Sequence, residues 1–252
     1  MRIIIIIPTY NEVRAIASLI DAVETEFKVI KNHAMEILIV DGNSSDGTLD
    51  EVRRKTGEYS NISLLVEKEK RGLGVAYING MNHAARNLRA DAVIEFDGDF
   101  QHDPKDIKRL VAEMDNGYDY VIGSRYVPGG AVPEKWGWHR KLLSKFGSLF
   151  IKYMLSLPTN DNTSGLKLTR VRPFFDYLPL SEEKILSRRH AYKVHILYEM
   201  LAHGAKTKEI PIIFLEREGG VSKSSLEDIR ESLSVVAILF FRKLAGKFRR
   251  RK

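Results

Sequence analysis

The chain has 252 residues, of which 44% are hydrophobic and 29% charged, enough for one large domain or two small ones with a full core. It contains no cysteine, which excludes disulfides, thiolate metal sites and a cysteine nucleophile. The net charge is +7, but residues 242–252 carry seven basic side chains and no acidic one, so the rest of the chain is neutral. A neutral body lacks the broad basic surface expected of a nucleic-acid-binding protein.

Short apolar runs at residues 3–7, 37–41, 62–66, 92–97 and 120–123 read as strands buried on both faces. Helical patterns separate them at residues 12–27, 47–59, 74–88 and 103–117. This alternation predicts an α/β fold with a mainly parallel sheet. Ligands bind at the carboxyl ends of strands in such sheets. Pro8, Asp41, Asp97 and Ser124 all follow strand runs, and we expect them to share one crevice.

The second half of the chain is less regular. Residues 126–140 are rich in glycine and proline, which predicts a mobile loop. Apolar residues then repeat at helical intervals from Phe146 to Leu157 and again from Leu233 to Leu244. We expect the first helix to pack on the sheet. The second runs into the basic segment, which is typical of a helix lying at a membrane surface.

No segment predicts a transmembrane helix or a secretory signal. The N-terminal apolar run ends at Pro8 after five isoleucines, and no apolar run approaches the ~20 residues that a spanning helix needs. We therefore expect a domain at residues 1–225 followed by an amphipathic, basic, membrane-associating segment at residues 226–252.

The sequence DGDFQHDP begins where the fourth apolar run ends. Asp97, Asp99 and Gln101 are spaced at i, i+2 and i+4, so an extended backbone would point their oxygens to one side. Gln101 is the only glutamine in the chain. Such a set could hold a divalent cation that also binds nucleotide phosphates. The same residues would also fit a glycosidase carboxylate pair, or a turn leading into a helix at Asp103-Pro104.

Other common nucleotide and hydrolase motifs are missing. The glycines of RGLGVAYING do not fit G-x-G-x-x-G, and neither a P-loop nor a G-x-S-x-G elbow occurs. These absences disfavour a Rossmann oxidoreductase, a P-loop kinase and a serine hydrolase.

Seven motifs in chain order resemble the family 2 glycosyltransferases, and within them the dolichol-phosphate mannose synthase branch. They are IPTYNE at 7–12, IVDGNSSDGT at 39–48, RGLGVAYINGM at 71–81, DGDFQHDP at 97–104, GSRY at 123–126, TSG at 163–165 and FLEREGGVSK at 214–223. The resemblance implies a GT-A fold, which is a Rossmann-like, mainly parallel sheet flanked by helices. It also implies a GDP-mannose donor, Mg²⁺ or Mn²⁺, and a dolichyl or other polyprenyl phosphate acceptor at the cytoplasmic face of a membrane, where the protein would bind peripherally.

The resemblance also implies roles for individual residues. The nucleotide-sugar site would comprise Pro8, Tyr10, Glu12, Val40, Asp41, Asp97, Gly98, Asp99, Gln101, Arg125, Arg217 and Lys223. Asp99, Gln101 and Asp97 would form the metal site, with Asp97 contacting either the ribose or the metal shell. Arg125, Arg140 and Ser144 would bind the acceptor phosphate, and Asp99, Arg125 and Arg217 would be catalytic. The family often has a second acid where this chain has Gly42.

The sequence leaves the donor open, because a UDP-glucose enzyme that makes polyprenyl-phosphate glucose would share this spacing. It also offers no candidate general base. A phosphate monoester has a second pKa of about 6 and arrives largely deprotonated at neutral pH, so we expect none to be needed.

Overall fold

The computed structural model describes residues 1–216 and 226–246, and the protein chain there forms one seven-stranded sheet flanked by helices. The strands are β1 (Arg2–Thr9), β2 (Ala34–Asp41), β3 (Ile62–Val66), β4 (Ala92–Glu95), β5 (Tyr120–Ser124), β6 (Lys167–Arg170) and β7 (Thr207–Pro211). The helices are α1 (Ile16–Phe27), α2 (Thr48–Glu58), α3 (Leu73–Arg86), α4 (Asp106–Asp115), α5 (Trp138–Leu155), α6 (Tyr192–Ala202) and α7 (Leu226–Leu244).

The five isoleucines of β1 explain why the sheet has a core on each face. Ile3, Ile5 and Ile7 pack into one cluster with side chains of α1 and α4, whereas Ile4 and Ile6 pack into the other with α3 and α6. All five are fully buried. Burying a side chain of this size stabilises a protein by ~1.5–3 kcal/mol, so the continuous apolar run reflects burial on both faces.

The strand order is β3-β2-β1-β4-β6-β5-β7. The predicted mainly parallel sheet is confirmed, since only β6 runs antiparallel to its neighbours β4 and β5. The sequence analysis did not identify β6 or β7. Because β6 lies between β4 and β5, the end of β5 is one strand removed from the end of β4. The predicted crevice common to Asp97 and Ser124 therefore does not form.

Helix α5 buries only part of the apolar face that was predicted to pack on the sheet, since Met154 and Leu157 reach the core. Ser148, Ile151 and Leu155 face inward, whereas Phe146 and Tyr153 are 61% and 75% exposed. Helix α7 packs beside α5 and α6 and buries Val235 and other residues in the core. In the described part of the chain, none of the helices is long and apolar enough to cross a bilayer.

Candidate active site

A cavity of about 1110 Å³ opens at the carboxyl ends of the neighbouring parallel strands β1, β2, β3 and β4. In sheet order its floor is formed by Glu67 after β3, Gly42 after β2, the end of β1 at residues 8–10, and the turn at residues 97–101 after β4. The chain leaves β1 for β2 on one side and reaches β4 on the other. The cavity therefore lies at the point where strand order reverses, which is where α/β sheets bind their ligands.

The remaining walls come from three further segments, in which Arg140 alone was predicted to be a site residue. Trp136 and Arg140 come from the start of α5 and the loop before it, Arg188, Arg189 and His190 from the segment before α6, and Asp228 and Glu231 from α7. Two glycines of the GLG motif allow one of these walls to form. A Cβ on Gly72 would lie 2.4 Å from the Arg188 carbonyl oxygen, and one on Gly74 would lie 2.8 Å from that of Arg189.

The DGDFQ segment is a turn and not an extended strand. Strand β4 ends at Glu95, Phe100 has φ +58°, and the Gln101 amide donates a 3.1 Å hydrogen bond to Asp99 Oδ1. The extended backbone on which the one-sided spacing depended is therefore absent, and the segment turns instead. The expected result is still reached, since Asp97, Gly98, Asp99 and Gln101 all line the cavity.

Asp97 is held from the protein side. Tyr77 donates a 2.8 Å hydrogen bond to its Oδ1, while His102 Nε2 and Lys193 Nζ lie 3.4 Å and 3.8 Å from its Oδ2. Burial raises the pKa of Asp97, but Lys193, His102 and Tyr77 outweigh it and hold the pKa well below its ordinary value. Asp97 is thus a carboxylate across the physiological pH range.

Asp99 and Gln101 carry oxygen atoms of the kind that hold a divalent cation. Mg²⁺ is commonly held by one or two carboxylates together with substrate phosphates, and amide oxygens also suit hard cations. The Gln101 side-chain nitrogen lies 3.4 Å from the Leu215 carbonyl oxygen, so the amide is oriented by the protein. Across residues 1–216 and 226–246 no group of three or more His, Cys, Asp or Glu side chains converges as a metal site. A cation here would need ligands from its substrate.

Some of the residues predicted to bind the nucleoside line the cavity and others do not. Pro8, Tyr10 and Glu12 line the cavity, and Lys70 Nζ lies 4.0 Å from the centre of the Tyr10 ring. Asp41 does not line it. Its carboxylate is fully buried and accepts 2.7 Å hydrogen bonds from the Thr9 and Ser44 hydroxyls and the Ser44 amide. Asp41 therefore shapes the cavity floor through its neighbours.

Val40 is also a core residue and does not reach the cavity. Its Cγ2 would lie 3.0 Å from a Cβ built on Gly80, whose absence of a side chain lets α3 approach β1 and β2 closely. The predicted contact between Val40 and the nucleoside is not seen in the cavity lining.

Arg125 and Ser144 are likewise not brought to the cavity wall. The Arg125 guanidinium forms a two-pronged pair with Asp161, with Nε–Oδ2 and Nη2–Oδ1 distances of 2.7 Å, and also donates to Thr163 at 2.9 Å. Burial lowers the pKa of Arg125, but the Asp161 charge outweighs it and the net pKa is raised. Ser144 accepts a hydrogen bond from the Tyr126 hydroxyl at 2.5 Å.

Arg140 is the predicted acceptor residue that does reach the cavity. Its guanidinium carbon lies 3.9 Å from the centre of the Trp136 ring, a stacking contact that orients the planar group. Burial lowers the pKa of Arg140 somewhat. Arg217 and Lys223, the predicted diphosphate ligands, lie outside the described residues.

Three curated relatives cover most of the chain. Polyprenol monophosphomannose synthase of Mycolicibacterium smegmatis is 34% identical over 94% of this chain and 86% of its own length. Undecaprenyl-phosphate mannosyltransferase of Micrococcus luteus is 35% identical over 89% of this chain and 88% of its own length. Dolichol-phosphate mannosyltransferase of Pyrococcus furiosus is 31% identical over 92% of this chain and 62% of its own.

Solved structures share the fold at lower identity. Glucosyl-3-phosphoglycerate synthase of Mycobacterium tuberculosis, solved with Mn²⁺ and UDP, matches 96% of this chain and 79% of its own at TM-score 0.66 and 16% identity. A mannosyltransferase of Pyrobaculum calidifontis was solved with GDP-Man and Mn²⁺. It matches 97% of this chain and 64% of its own at TM-score 0.56 and 19% identity. Residues 4–178 match the sequence profile of Glycosyl transferase family 2. With relatives this similar over most of its length, the chain belongs to that family of glycosyltransferases.

Proposed function

We propose that the protein transfers mannose from GDP-mannose to dolichyl or another polyprenyl phosphate, with inversion at the anomeric carbon, to supply a lipid-linked mannose for glycosylation. The observation that carries the proposal is the cavity at the strand switch point, whose floor bears Asp97, Asp99 and Gln101 and whose walls bear Arg140 and Arg188. The names of the curated relatives, which are polyprenyl-phosphate mannosyltransferases, support mannose as the sugar and a lipid phosphate as the acceptor.

The reaction needs a site that holds two anionic substrates together. An oxygen of the acceptor phosphate attacks the anomeric carbon of mannose and forms the new bond to that carbon. The bond between the anomeric carbon and the GDP β-phosphate oxygen breaks, and GDP leaves with the bonding electrons. Because the acceptor oxygen is already deprotonated near neutral pH, the protein residues must orient the two substrates and need not remove a proton.

The residues that line the cavity suit these tasks. Asp99 and Gln101 would hold Mg²⁺ or Mn²⁺, which when bound supplies positive charge to the departing diphosphate. Tyr10, Glu12 and Lys70 lie at the ends of β1 and β3, where the guanosine would bind. Arg140, oriented by Trp136, would grip the acceptor phosphate, since a guanidinium binds phosphate in a two-pronged geometry that lysine cannot reproduce.

The exposed faces of α5 and α7 support peripheral binding to the membrane that holds the acceptor. The two helices pack side by side, and Lys243 of α7 donates hydrogen bonds to the Leu155 carbonyl and Ser156 hydroxyl at the end of α5. Their large exposed apolar side chains are Trp138, Leu142, Leu143, Phe146, Phe150, Tyr153, Ile229, Leu233, Ile238, Phe241 and Leu244. The same two helices also contain lysines and arginines, as expected of a protein that binds anionic lipid.

Donor profiling tests the proposed reaction. The purified protein is given Mn²⁺, a short polyprenyl phosphate in detergent, and radiolabelled GDP-mannose or UDP-glucose. We expect lipid-linked label from GDP-mannose at a rate at least tenfold above that from UDP-glucose. Transfer from UDP-glucose alone would favour the alternative polyprenyl-phosphate glucosyltransferase. An absence of lipid-linked product from either donor would contradict the proposal.

Liposome sedimentation tests the membrane surface. Exchanging Phe146 and Phe241 for serine removes two exposed rings, each of which contributes up to ~1.5–3 kcal/mol when buried. We expect each exchange to lower binding to anionic liposomes about tenfold. Val29→Ser, which removes a 60% exposed side chain next to α1, serves as the control and should leave binding unchanged. Equal binding by all variants would rule this surface out.

A further inference from the structure

Residues from two of the sequence motifs lie beside a lysine that belongs to no motif. Tyr77 lies in the motif at residues 71–81, Gly165 ends the motif at residues 163–165, and Lys193 is in the first turn of α6. All three converge on the Asp97 carboxylate. Asp97 is 22% exposed as a side chain and lines the cavity, so these contacts reach it from the side facing the protein interior.

The contacts restrain the carboxylate from separate directions. Tyr77 of α3 donates a hydrogen bond to Oδ1. Lys193 of α6 lies beside Oδ2, as does His102 in the loop between β4 and α4. Gly165 closes the back of the cluster. A Cβ on Gly165 would lie 2.4 Å from Asp97 Oδ2, 2.8 Å from His102 Nε2 and 2.9 Å from Lys193 Nζ. Only a glycine leaves room for all three groups.

The cluster also balances the negative charge of Asp97. The Lys193 side chain is 7% exposed and that of His102 1%. A buried ammonium is tolerated when it is paired, and Asp97 supplies the pairing charge. The Asp97–Lys193 pair carries no net charge.

We propose that Lys193, Tyr77 and Gly165 are positioning residues that fix the Asp97 carboxylate at the cavity wall as an oriented, charge-compensated hydrogen-bond acceptor. Lys193 and Tyr77 set its orientation, and Gly165 provides the space in which they reach it. The inference rests on the proposed function for what Asp97 meets in the cavity, which is the nucleotide-sugar donor. It assigns to the cluster the task of presenting Asp97 to that donor.

The test uses Lys193→Met, Tyr77→Phe and Gly165→Ala, with Lys55→Met as a matched control. Lys55 is as buried as Lys193, with its side chain 6% exposed, and it pairs with Asp21 and Glu58 on α1 and α2, none of which lines the cavity. A purely structural loss would appear in the control as well. Calorimetry measures the Kd for GDP in the presence of Mn²⁺, and steady-state assays with GDP-mannose measure KM and kcat.

We expect Lys193→Met and Gly165→Ala to raise the Kd for GDP and the donor KM about ten- to a hundredfold, the effect of losing one hydrogen bond to a charged group. Tyr77→Phe should give a smaller rise, because Lys193 remains. Lys55→Met should lower thermal stability and leave Kd and KM within twofold. If the Lys193 and Lys55 variants show the same donor parameters, the inference is overturned.

Crystal structures of the unliganded variants decide the inference independently of the donor. We expect the Asp97 carboxylate to rotate away from its wild-type position in Lys193→Met and in Gly165→Ala. An unmoved carboxylate in both overturns the inference even if wild-type activity is as proposed. Failure of the wild-type protein to bind GDP or GDP-mannose would instead overturn the proposed function, while the position of Asp97 would still decide this inference. Should one variant fail to fold, the other provides the same measurement.

Discussion

Replacing Arg125 with alanine is expected to reduce the stability of the protein much more than its affinity for either substrate. The Arg125 side chain is 9% exposed and that of Asp161 is fully buried. The substitution removes two hydrogen bonds to the Asp161 carboxylate and one to Thr163. The Asp161 carboxylate stays buried without a cation from residue 125. It keeps the hydrogen bonds that the backbone amides of Arg125 and Thr163 donate to it, since an alanine retains its amide.

The expected cost follows from that uncompensated charge. Removing one partner of a buried ion pair destabilises proteins by ~3–5 kcal/mol. With an m-value of about 2–3 kcal/mol per molar urea, the unfolding midpoint should fall by ~1–2.5 M. Adding Asp161→Asn removes the buried charge, so the double variant should be more stable than Arg125→Ala alone. Arg53→Ala breaks an exposed pair with Asp50 and should cost less than ~1 kcal/mol.

The pH dependence of the loss gives a second check. Burial raises the pKa of Asp161, but Arg125 outweighs it and the wild-type pKa is lowered. The wild-type stabilisation is therefore present above the unfolded pKa of about 3.9 and is lost as pH falls through the folded value. Without Arg125, burial raises the folded pKa above the unfolded one, so protonation in acid stabilises the variant.

The gap in free energy of unfolding between wild type and Arg125→Ala should consequently narrow from pH 7 to pH 4. Equilibrium urea unfolding at several pH values, followed by circular dichroism, measures it. The reasoning is refuted if Arg125→Ala unfolds within ~1 kcal/mol of wild type while losing transfer activity, because Arg125 would then act on the substrate as the sequence resemblance implies.

Four further measurements address the site and the membrane surface. Asp99→Ala should abolish transfer and weaken Mn²⁺-dependent GDP binding while leaving urea unfolding unchanged, and metal-independent turnover by this variant would contradict the assignment. Arg140→Lys should raise the KM for the lipid phosphate at least tenfold with little change for GDP-mannose, and an equal effect on both would contradict its acceptor role. The pH–rate profile should rise near pH 6 and shift when a more acidic phosphonate acceptor is used, whereas a fixed limb that disappears on mutating one carboxylate would reveal a general base. Deleting residues 242–252 should weaken binding to anionic liposomes, and high salt should have the same effect; unchanged binding would mean that this segment is only solvated.

Local patterns in the sequence were enough to predict the parallel half of the fold and the centre of the site. The five isoleucines of β1 indicate a strand buried on both faces because no surface strand tolerates such a run, and the carboxyl ends of parallel strands meet at one edge of the sheet. That edge brings Pro8, Tyr10 and Asp99 together even though the DGDFQ backbone turns and is not extended. Strand alternation determines which strand ends meet, so the local conformation of this segment did not change the result.

Tertiary structure decided what periodicity cannot encode. An amphipathic pattern shows that a helix has an apolar side, but not whether protein or another surface covers it, so the exposure of Phe146 and Tyr153 on α5 was not predicted. Strand β6 was not predicted because its Lys167 is fully buried although lysine is typical of a surface. Its insertion beside β4 places β5, which Arg125 follows, one strand away from β4. The roles of Gly165 and Lys193 depend on contacts 68 and 96 positions from Asp97. Neither spacing nor composition records such contacts, because only the folded chain brings these residues within a few ångströms of one carboxylate.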